Sequence, residues 1–169
     1  MAWDTEKNCL IDPFGGQRDL QNRLIRAVGD PDRRFAEDGL RILRGLRFAA
    51  ELGFAVEPET AAALRRNAPR LQSLSPERVR TELQKLICGR AAAPVLREYI
   101  EVIGVVLPEL LPMVGFAQNN PHHNRDVWEH TLTVLENIPA EPVLRWAALL
   151  HDAEKPACCT VDAEGVRHF

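Results

Sequence analysis

Residues 34–54 read RFAEDGLRILRGLRFAAELGF. Within this stretch, apolar side chains recur in steps of three and four residues, which is the period of an α-helix with one buried face. Gly53 is the kind of residue that ends a helix. The pattern predicts one helix over residues 33–52.

The sequence on both sides of this segment also has helical spacing. Proline near a first turn and glycine after a last turn mark several further helices. They are predicted over residues 57–67, 75–88, 93–103, 105–111, 126–137 and 143–153. We expect strand fragments only near the two ends, including a hairpin over residues 159–168, and a polar loop over residues 118–124. The predicted fold class is therefore all-α.

Length and composition are those of an ordinary globular chain. It has 169 residues, 46% hydrophobic and 27% charged, so it can bury a core without disulfides. No apolar run approaches the ~20 residues that cross a bilayer, and the first residues do not form a secretory signal. The cysteines follow no C-x-x-C pattern, which is typical of reduced thiols. We expect a cytoplasmic protein with no membrane partner.

Charge is distributed unevenly along the chain. Residues 18–90 hold 15 Lys and Arg against 10 Asp and Glu, whereas residues 91–169 hold 5 against 11. Of the 21 basic residues, 18 are Arg, whose planar guanidinium suits phosphates and base edges. The pattern indicates a nucleic acid or a nucleotide as partner. A solvated helix face would give the same composition.

The segment Glu37-Asp38-x-x-Arg41 carries the first candidate chemistry. On a helix, Asp38 and Arg41 would point the same way. A carboxylate accepts from the exocyclic amine of cytosine or adenine, and a guanidinium donates to the ring nitrogen or carbonyl beside it. Arg44 and Arg47 continue this edge toward possible phosphates. The alternative is a ladder of surface ion pairs, each worth ~0.3–0.5 kcal/mol.

A second candidate is a metal site in the last third of the chain. His130 lies on one predicted helix, and His151-Asp152 ends the next apolar helix. Imidazole nitrogen and carboxylate oxygen suit a transition metal or magnesium. The alternative is a structural role, which is usual for a lone histidine on a partly apolar helix.

Taken together, five segments in this order resemble the bacterial tRNA nucleotidyltransferase (CCA-adding enzyme) and poly(A) polymerase family. They are LIDPFGGQRDL, IRAVGDPDRRFAEDGLRILRGLRFAAELGF, SPERVRTELQKL, DVWEHTLTVL and AALLHDAEKP. The last two resemble the start of an HD domain. The resemblance implies the end of a catalytic head with its linker over residues 1–29, a helical neck and body that binds nucleotide and RNA over residues 30–115, and the N-terminal part of an HD domain over residues 116–169.

The resemblance also implies roles for the Glu37-Asp38-x-x-Arg41 segment. In that family the Asp and Arg of this motif pair with the base of incoming CTP or ATP, which implies this role for Asp38 and Arg41 with Glu37 in support. Neighbouring arginines contact phosphates or RNA, which implies such contacts for Arg44 and Arg47. The implied partners are tRNA, CTP and ATP, and the intact protein would add nucleotides to tRNA 3′ ends.

The chain departs from the family pattern near both ends. In the family's head, a phosphate-binding glycine pair is followed by Asp-x-Asp, which binds two Mg²⁺ ions, and that combination is missing here. The resemblance therefore implies that Mg²⁺ serves the intact parent and that this chain alone is inactive. An HD domain has the pattern H…HD…D. His130, His151 and Asp152 match it without a fourth ligand, so a divalent metal is expected only at an incomplete site.

Two alternatives to a portion of a CCA-adding enzyme stay open. One is a non-enzymatic helical module that binds RNA or docks with a separately encoded head domain. The other is a metal-dependent phosphohydrolase of the HD type.

Overall fold

A computed structural model of the chain describes residues 1–117, 126–161 and 167–168. Its helices are α1 Gly16–Gln21, α2 Pro31–Glu37, α3 Leu40–Leu52, α4 Pro58–Asn67, α5 Pro76–Ile87, α6 Ala92–Glu98, α7 Ile100–Ile103, α8 Val127–Asn137, α9 Pro142–Leu150 and α10 Lys155–Cys158. 3₁₀ helices cover Ala68–Ser73 and Pro108–Met113. The strands are β1 Ala2–Asp4, β2 Cys9–Ile11, β3 Leu24–Ile25, β4 Ala55–Val56, β5 Thr160–Val161 and β6 Arg167–His168. The all-α fold class is confirmed.

Helix α3 lies at the centre of the fold. Its residues Ile42, Leu43 and Leu46 are fully buried, as the helical spacing of the sequence requires. The helix ends where predicted, at Gly53, whose φ of +61° is costly for residues other than glycine.

Helix α5 packs along α3 because a glycine brings the two backbones together. A Cβ atom at Gly89 would lie 2.6 Å from the carbonyl carbon of Ala50. Immediately beyond, the N–H of Ala91 donates to the Ala50 carbonyl at 2.9 Å. The C-terminal end of α5 is thereby fixed against α3.

The predicted continuous helix over residues 33–52 is wrong, because the chain breaks at Asp38. Asp38 is extended, with φ of −153°, and separates α2 from α3. Its Oδ1 accepts the N–H of Leu40 at 3.1 Å, a local bond that competes with helix propagation. Gly39 further weakens the helix at this point. Asp38 and Arg41 therefore do not share a helix face.

Other differences follow from backbone chemistry. The predicted helix over residues 93–103 is divided at Tyr99. The helix predicted over residues 105–111 is a 3₁₀ helix that contains two prolines. Strands β3 and β4 form a parallel pair inside the chain, where no strand was predicted. The terminal hairpin is confirmed by β5 and β6, whereas its turn and the polar loop over residues 118–124 lie outside the described residues.

One hydrophobic core joins the two halves of the chain. The buried cluster runs from Phe35 in α2 to Leu149 in α9 and includes Trp128 and Leu132 of α8. The proposed boundary between residues 115 and 116 stays a prediction, since the core is continuous across it. Every helix in the described ranges is too short or too polar to cross a bilayer.

Candidate functional site

The carboxylate of Asp38 is held from two sides. Besides the Leu40 N–H, its two oxygens accept from Nη2 of Arg78, at 3.3 Å to Oδ1 and 3.1 Å to Oδ2. Arg78 belongs to the first turn of α5, so this ion pair joins α5 to the break between α2 and α3. The Asp38 side chain remains 32% exposed. Its carboxylate therefore has a fixed position and an open side.

Arg41 is engaged by Glu37 rather than by Asp38. Its Nη1 donates to Oε2 of Glu37 and, at 3.0 Å, to the carbonyl of Arg34. The same Glu37 oxygen accepts from Nη1 of Arg34 at 2.6 Å. The hydrogen bond from Arg41, with Arg34 nearby, holds the pKa of the Glu37 carboxyl below its usual value. Glu37 is therefore ionised at neutral pH and orients Arg41, while the supporting role that the resemblance implies for Glu37 stays a prediction.

Arg41 and Arg44 line a cavity of about 480 Å³. Arg26 and Arg34 join them, so four arginines line one concave surface, and Arg26 is also ion-paired with Asp19 and Glu57. Its apolar part comprises Ile25, Ala27, Val28, Phe35, Phe48 and Leu64. Arg44 makes no ion pair with the described residues and is exposed. An apolar surface lined with arginine suits a flat heterocycle that carries phosphates. Asp38 does not line this cavity.

Arg47 faces the protein instead of a ligand, contrary to the expected phosphate contact. Its Nε lies 3.3 Å from Oε2 of Glu82 and 3.7 Å from Oε2 of Glu51. The contact with Glu82 is one of charge, since it lacks hydrogen-bond geometry. The guanidinium also lies 4.2 Å from the Phe48 ring centre. The physical reason is that Glu82 is buried on α5 and requires a cation beside it.

The predicted metal ligands converge in the structure. Helix α8 provides His130, and the turn after α9 provides His151 and Asp152. Their ligand atoms lie within 4.8 Å of one another. Oδ2 of Asp152 is 3.2 Å from Nε2 of His151 and 3.8 Å from Nε2 of His130. Asp152 is buried, so its charge has to be balanced within the protein.

The donor atoms of this cluster fit a transition metal, with one competitor. Nδ1 of His151 is 2.8 Å from the carbonyl of Ala148, to which it donates, so Nε2, on the Asp152 side, is the ring nitrogen placed to coordinate a metal. Two imidazoles and one carboxylate form a common metal-binding set. However, Nζ of Lys155 lies 2.8 Å from Oδ2 of Asp152, so a metal would have to share or displace that cation.

The sequence interpretation missed Arg78. The segment SPERVRTELQKL carries part of the family resemblance but no predicted site residue, yet its Arg78 is the side-chain partner of Asp38. Proline at the first turn, followed by Glu77 and Arg78, indicates the start of a helix. This pattern does not identify the residue that Arg78 contacts. That contact joins residues 40 positions apart.

Comparison with known proteins finds similar proteins over most of the chain. A family model described as "Probable RNA and SrmB-binding site of polymerase A" matches residues 53–113. The A-adding tRNA nucleotidyltransferase of Deinococcus radiodurans is 38% identical, over 95% of this chain and 39% of that protein. The multifunctional CCA protein of Pseudomonas fluorescens is 39% identical, over 100% of this chain and 42% of that protein.

A solved structure with similar fold is the Bacillus stearothermophilus CCA-adding enzyme in complex with CTP. It is 29% identical, with a TM-score of 0.53, over 90% of this chain and 52% of that one. The chain spans about two fifths of the length of the first curated relative it matches, at 39%.

Proposed function

This chain belongs to the family of bacterial tRNA nucleotidyltransferases and poly(A) polymerases, and from that membership we propose that it supplies the base-reading and RNA-contacting part of a CCA-adding enzyme. Its ligands are CTP, ATP and the 3′ end of tRNA, and its place is the cytoplasm. The observation that carries this proposal is the position of Arg41, which lines the arginine-rich cavity with Arg44 and follows the partly exposed Asp38 by three residues.

Base reading follows from the donors and acceptors of Asp38 and Arg41. Cytosine and adenine both place an exocyclic amine beside a ring nitrogen acceptor. Asp38 would accept from the amine, and Arg41 would donate to the ring nitrogen. Uracil and guanine present the reverse order, a carbonyl beside a ring N–H, so both contacts would be lost. The pair thus separates CTP and ATP from UTP and GTP without a nucleic-acid template.

To act together, the two side chains need one change from the present arrangement. Arg41 has to turn from Glu37 toward the base, while Asp38 already has an open side. Glu37 is exposed and holds Arg34 as well, so it keeps one cation when Arg41 leaves. The exchange therefore strands no buried charge, which keeps its free-energy cost low.

Transfer of the nucleotide needs carboxylates that hold metal ions, and this chain lacks the glycine pair followed by Asp-x-Asp that the family uses for this step. Two Mg²⁺ ions would stabilise the charge on the transferring phosphoryl group and on the leaving pyrophosphate. We propose that the 169 residues bind base and RNA, while the metal-holding carboxylates belong to a head domain. Mixing the chain with a separately expressed head domain tests this docking: a stable complex that incorporates CMP supports it, and no complex excludes it.

The binding test uses this chain with each of the four nucleoside triphosphates at low salt. We expect CTP and ATP to bind more tightly than UTP and GTP by about 5- to 150-fold, the range for a well-placed pair of base contacts of ~1–3 kcal/mol. Asp38→Asn converts an acceptor oxygen into a donor and should reverse or remove the preference. Equal affinity for all four nucleotides would refute base reading by this chain.

A second function, metal-dependent phosphoester hydrolysis, is favoured by one observation, the convergence of His130, His151 and Asp152. A bound divalent metal would polarise a phosphoryl oxygen or activate water. The chain's own part is to present two imidazole nitrogens and one carboxylate oxygen. Metal analysis after incubation with Mn²⁺ or Ni²⁺, and turnover of a generic phosphodiester, test this candidate. His151→Ala should remove bound metal; unchanged metal content in that variant would exclude the site.

A further inference from the structure

We propose that Trp146 and Arg80 form a second RNA site, which takes two successive unpaired nucleotides. This inference rests on the RNA contact of the proposed function and assigns a further place on the molecule to it. Arg80 lies on α5 and Trp146 on α9, two helices that pack against each other. Both side chains line two cavities, a first of about 450 Å³ and a second of about 460 Å³. The two cavities therefore adjoin at this pair of residues.

The walls of the two cavities are largely apolar and carry no acidic group. Leu83 and Leu107 line the first cavity, and Pro142 and Val143 line the second. No aspartate or glutamate among the described residues lines either of them. A phosphate at these walls would therefore meet no like charge, although residues 91–169 are acidic overall.

The polar side chains at the second cavity are not engaged elsewhere in the described part of the chain. Arg80 is exposed, and its guanidinium forms neither an ion pair nor a hydrogen bond there. Gln84 follows one turn later on the same face of α5, and its side-chain amide has no partner among the described residues either. A guanidinium binds phosphate, and a glutamine amide both donates and accepts at a base edge. One helix face thus provides contacts for phosphate and for base.

Trp146 presents a half-buried aromatic ring on an anchored helix. Its neighbour Arg145 is buried and donates to the carbonyls of Pro139 and Ile138, at 3.0 and 3.1 Å. Leu149, one turn later, is fully buried. The indole therefore has a fixed place before any ligand arrives. Unpaired RNA bases stack on such rings with little regard to sequence, whereas the bases of a duplex are already stacked on one another.

The shared position of Arg80 and Trp146 favours two nucleotides over other occupants. One base in each cavity would contact the indole, and the phosphate between the two bases would meet the guanidinium. Each cavity has a volume typical of a small-ligand site. An amphipathic peptide helix would need one continuous apolar groove, but Arg80 and Gln84 interrupt the apolar surface at the second cavity. Unpaired RNA fits this combination of apolar walls, aromatic ring and unengaged cation.

Trp146 also packs against the core, and a purely structural role predicts different results from an RNA site. The probe is an unstructured, fluorescein-labelled RNA of about ten nucleotides, whose binding to the chain is followed by fluorescence anisotropy at several salt concentrations. A structural residue would affect urea unfolding and would not alter the salt dependence of RNA binding. An RNA site affects both the affinity and its salt dependence.

Wild type is compared with Trp146→Ala, Trp146→Phe, Arg80→Ala and the control Arg97→Ala. We expect Trp146→Ala to weaken RNA binding about 5- to 150-fold, the range for one stacked base, and Trp146→Phe to recover part of the affinity. Arg80→Ala should make the slope of log affinity against log salt shallower by about 0.7, which is the share of one phosphate contact in a single strand. Arg97→Ala removes an arginine that is paired with Glu129, so it should leave affinity and slope unchanged.

A second measurement keeps the test valid if Trp146→Ala does not fold. The indole N–H signals of the three tryptophans are recorded by NMR, and that of Trp146 is identified by its loss in Trp146→Phe. We expect the unstructured RNA to shift the Trp146 signal and to leave that of the buried Trp128 in place. A fully paired RNA hairpin should shift neither signal.

The outcomes separate this inference from base reading at Asp38 and Arg41. Unchanged RNA affinity in Trp146→Ala, or an equal loss in Trp146→Ala and Arg97→Ala, overturns the RNA site. A Trp146 signal that responds to an acidic amphipathic peptide and not to RNA also overturns it, because the surface then binds protein. If RNA leaves Trp146 unaffected while CTP binds more tightly than UTP, this inference fails and base reading stands. If RNA binds at Trp146 without any preference for CTP, base reading fails and this site stands.

Discussion

Arg44 and Arg47 lie one turn apart on α3, yet the structure gives them opposite environments. Arg44 is exposed beside the cavity, whereas the Arg47 side chain is 11% exposed and lies between Glu51 and Glu82. Changing each to alanine should therefore separate stability from binding. Arg47→Ala leaves Glu82 without its cation, and the loss of one partner from a buried pair costs ~3–5 kcal/mol.

The lower end of that range applies to Arg47→Ala. The Arg47–Glu82 contact of 3.3 Å lacks hydrogen-bond geometry, and both side chains retain 11% exposure. We expect a loss of about 3 kcal/mol in the free energy of unfolding, and a melting temperature lower by roughly 6–12 °C for a chain of this size. Arg44→Ala should change stability by less than ~0.5 kcal/mol and weaken nucleotide and tRNA binding.

Urea unfolding followed by circular dichroism measures the first quantity, and tRNA binding at low denaturant measures the second. Glu82→Gln in the Arg47→Ala background should recover part of the stability, because the stranded charge is removed. An Arg47→Ala protein of wild-type stability with lost RNA binding would show that Arg47 meets phosphate, as the sequence suggested, and would refute this assignment.

Three further predictions concern packing, pH and metal. Gly89→Ala should destabilise the fold by ~1–3 kcal/mol in urea unfolding because its Cβ would meet the Ala50 backbone; a neutral effect would mean that α3 and α5 are farther apart. The hydrogen bond from Arg66 lowers the pKa of Asp32 from its usual 3.8, so this pair stabilises the fold above that pH and is lost as pH falls through the lower value. Asp32→Asn should therefore flatten the acid limb of the unfolding midpoint against pH, and an unchanged limb would contradict the assignment. Lys155→Ala should raise Mn²⁺ affinity by removing the cation on Asp152, whereas weaker binding would show that Lys155 supports the site.

The sequence predicted those elements whose backbone signals are local. Proline at the first turn and glycine after the last turn located α5, and apolar spacing identified the buried face of α3. The break at Asp38 was missed because helical periodicity continues across it, while the competing bond from its own side chain has no periodic signature. The β3–β4 pair was missed because two-residue strands carry no alternation to detect.

The candidate sites also differ in how far local sequence signals could predict them. The sequence predicted that His130 and the His151-Asp152 pair could converge, and in the structure their ligand atoms lie close together. Two amphipathic helices packed on one core have few ways to align, which favours this convergence. It could not identify Arg78 as the partner of Asp38, or Glu82 as the partner of Arg47, since both contacts cross between helices distant in sequence. The sequence shows how many arginines the chain has. Only the tertiary structure shows which of them are already paired with a carboxylate.

A crystal structure of this chain with CTP tests base reading most directly. The account predicts the cytosine amine within about 2.7–3.2 Å of an Asp38 carboxylate oxygen, and the cytosine ring nitrogen at a similar distance from the Arg41 guanidinium, now turned away from Glu37. A cytosine bound elsewhere, with Arg41 still on Glu37 and no contact to Asp38, would contradict it.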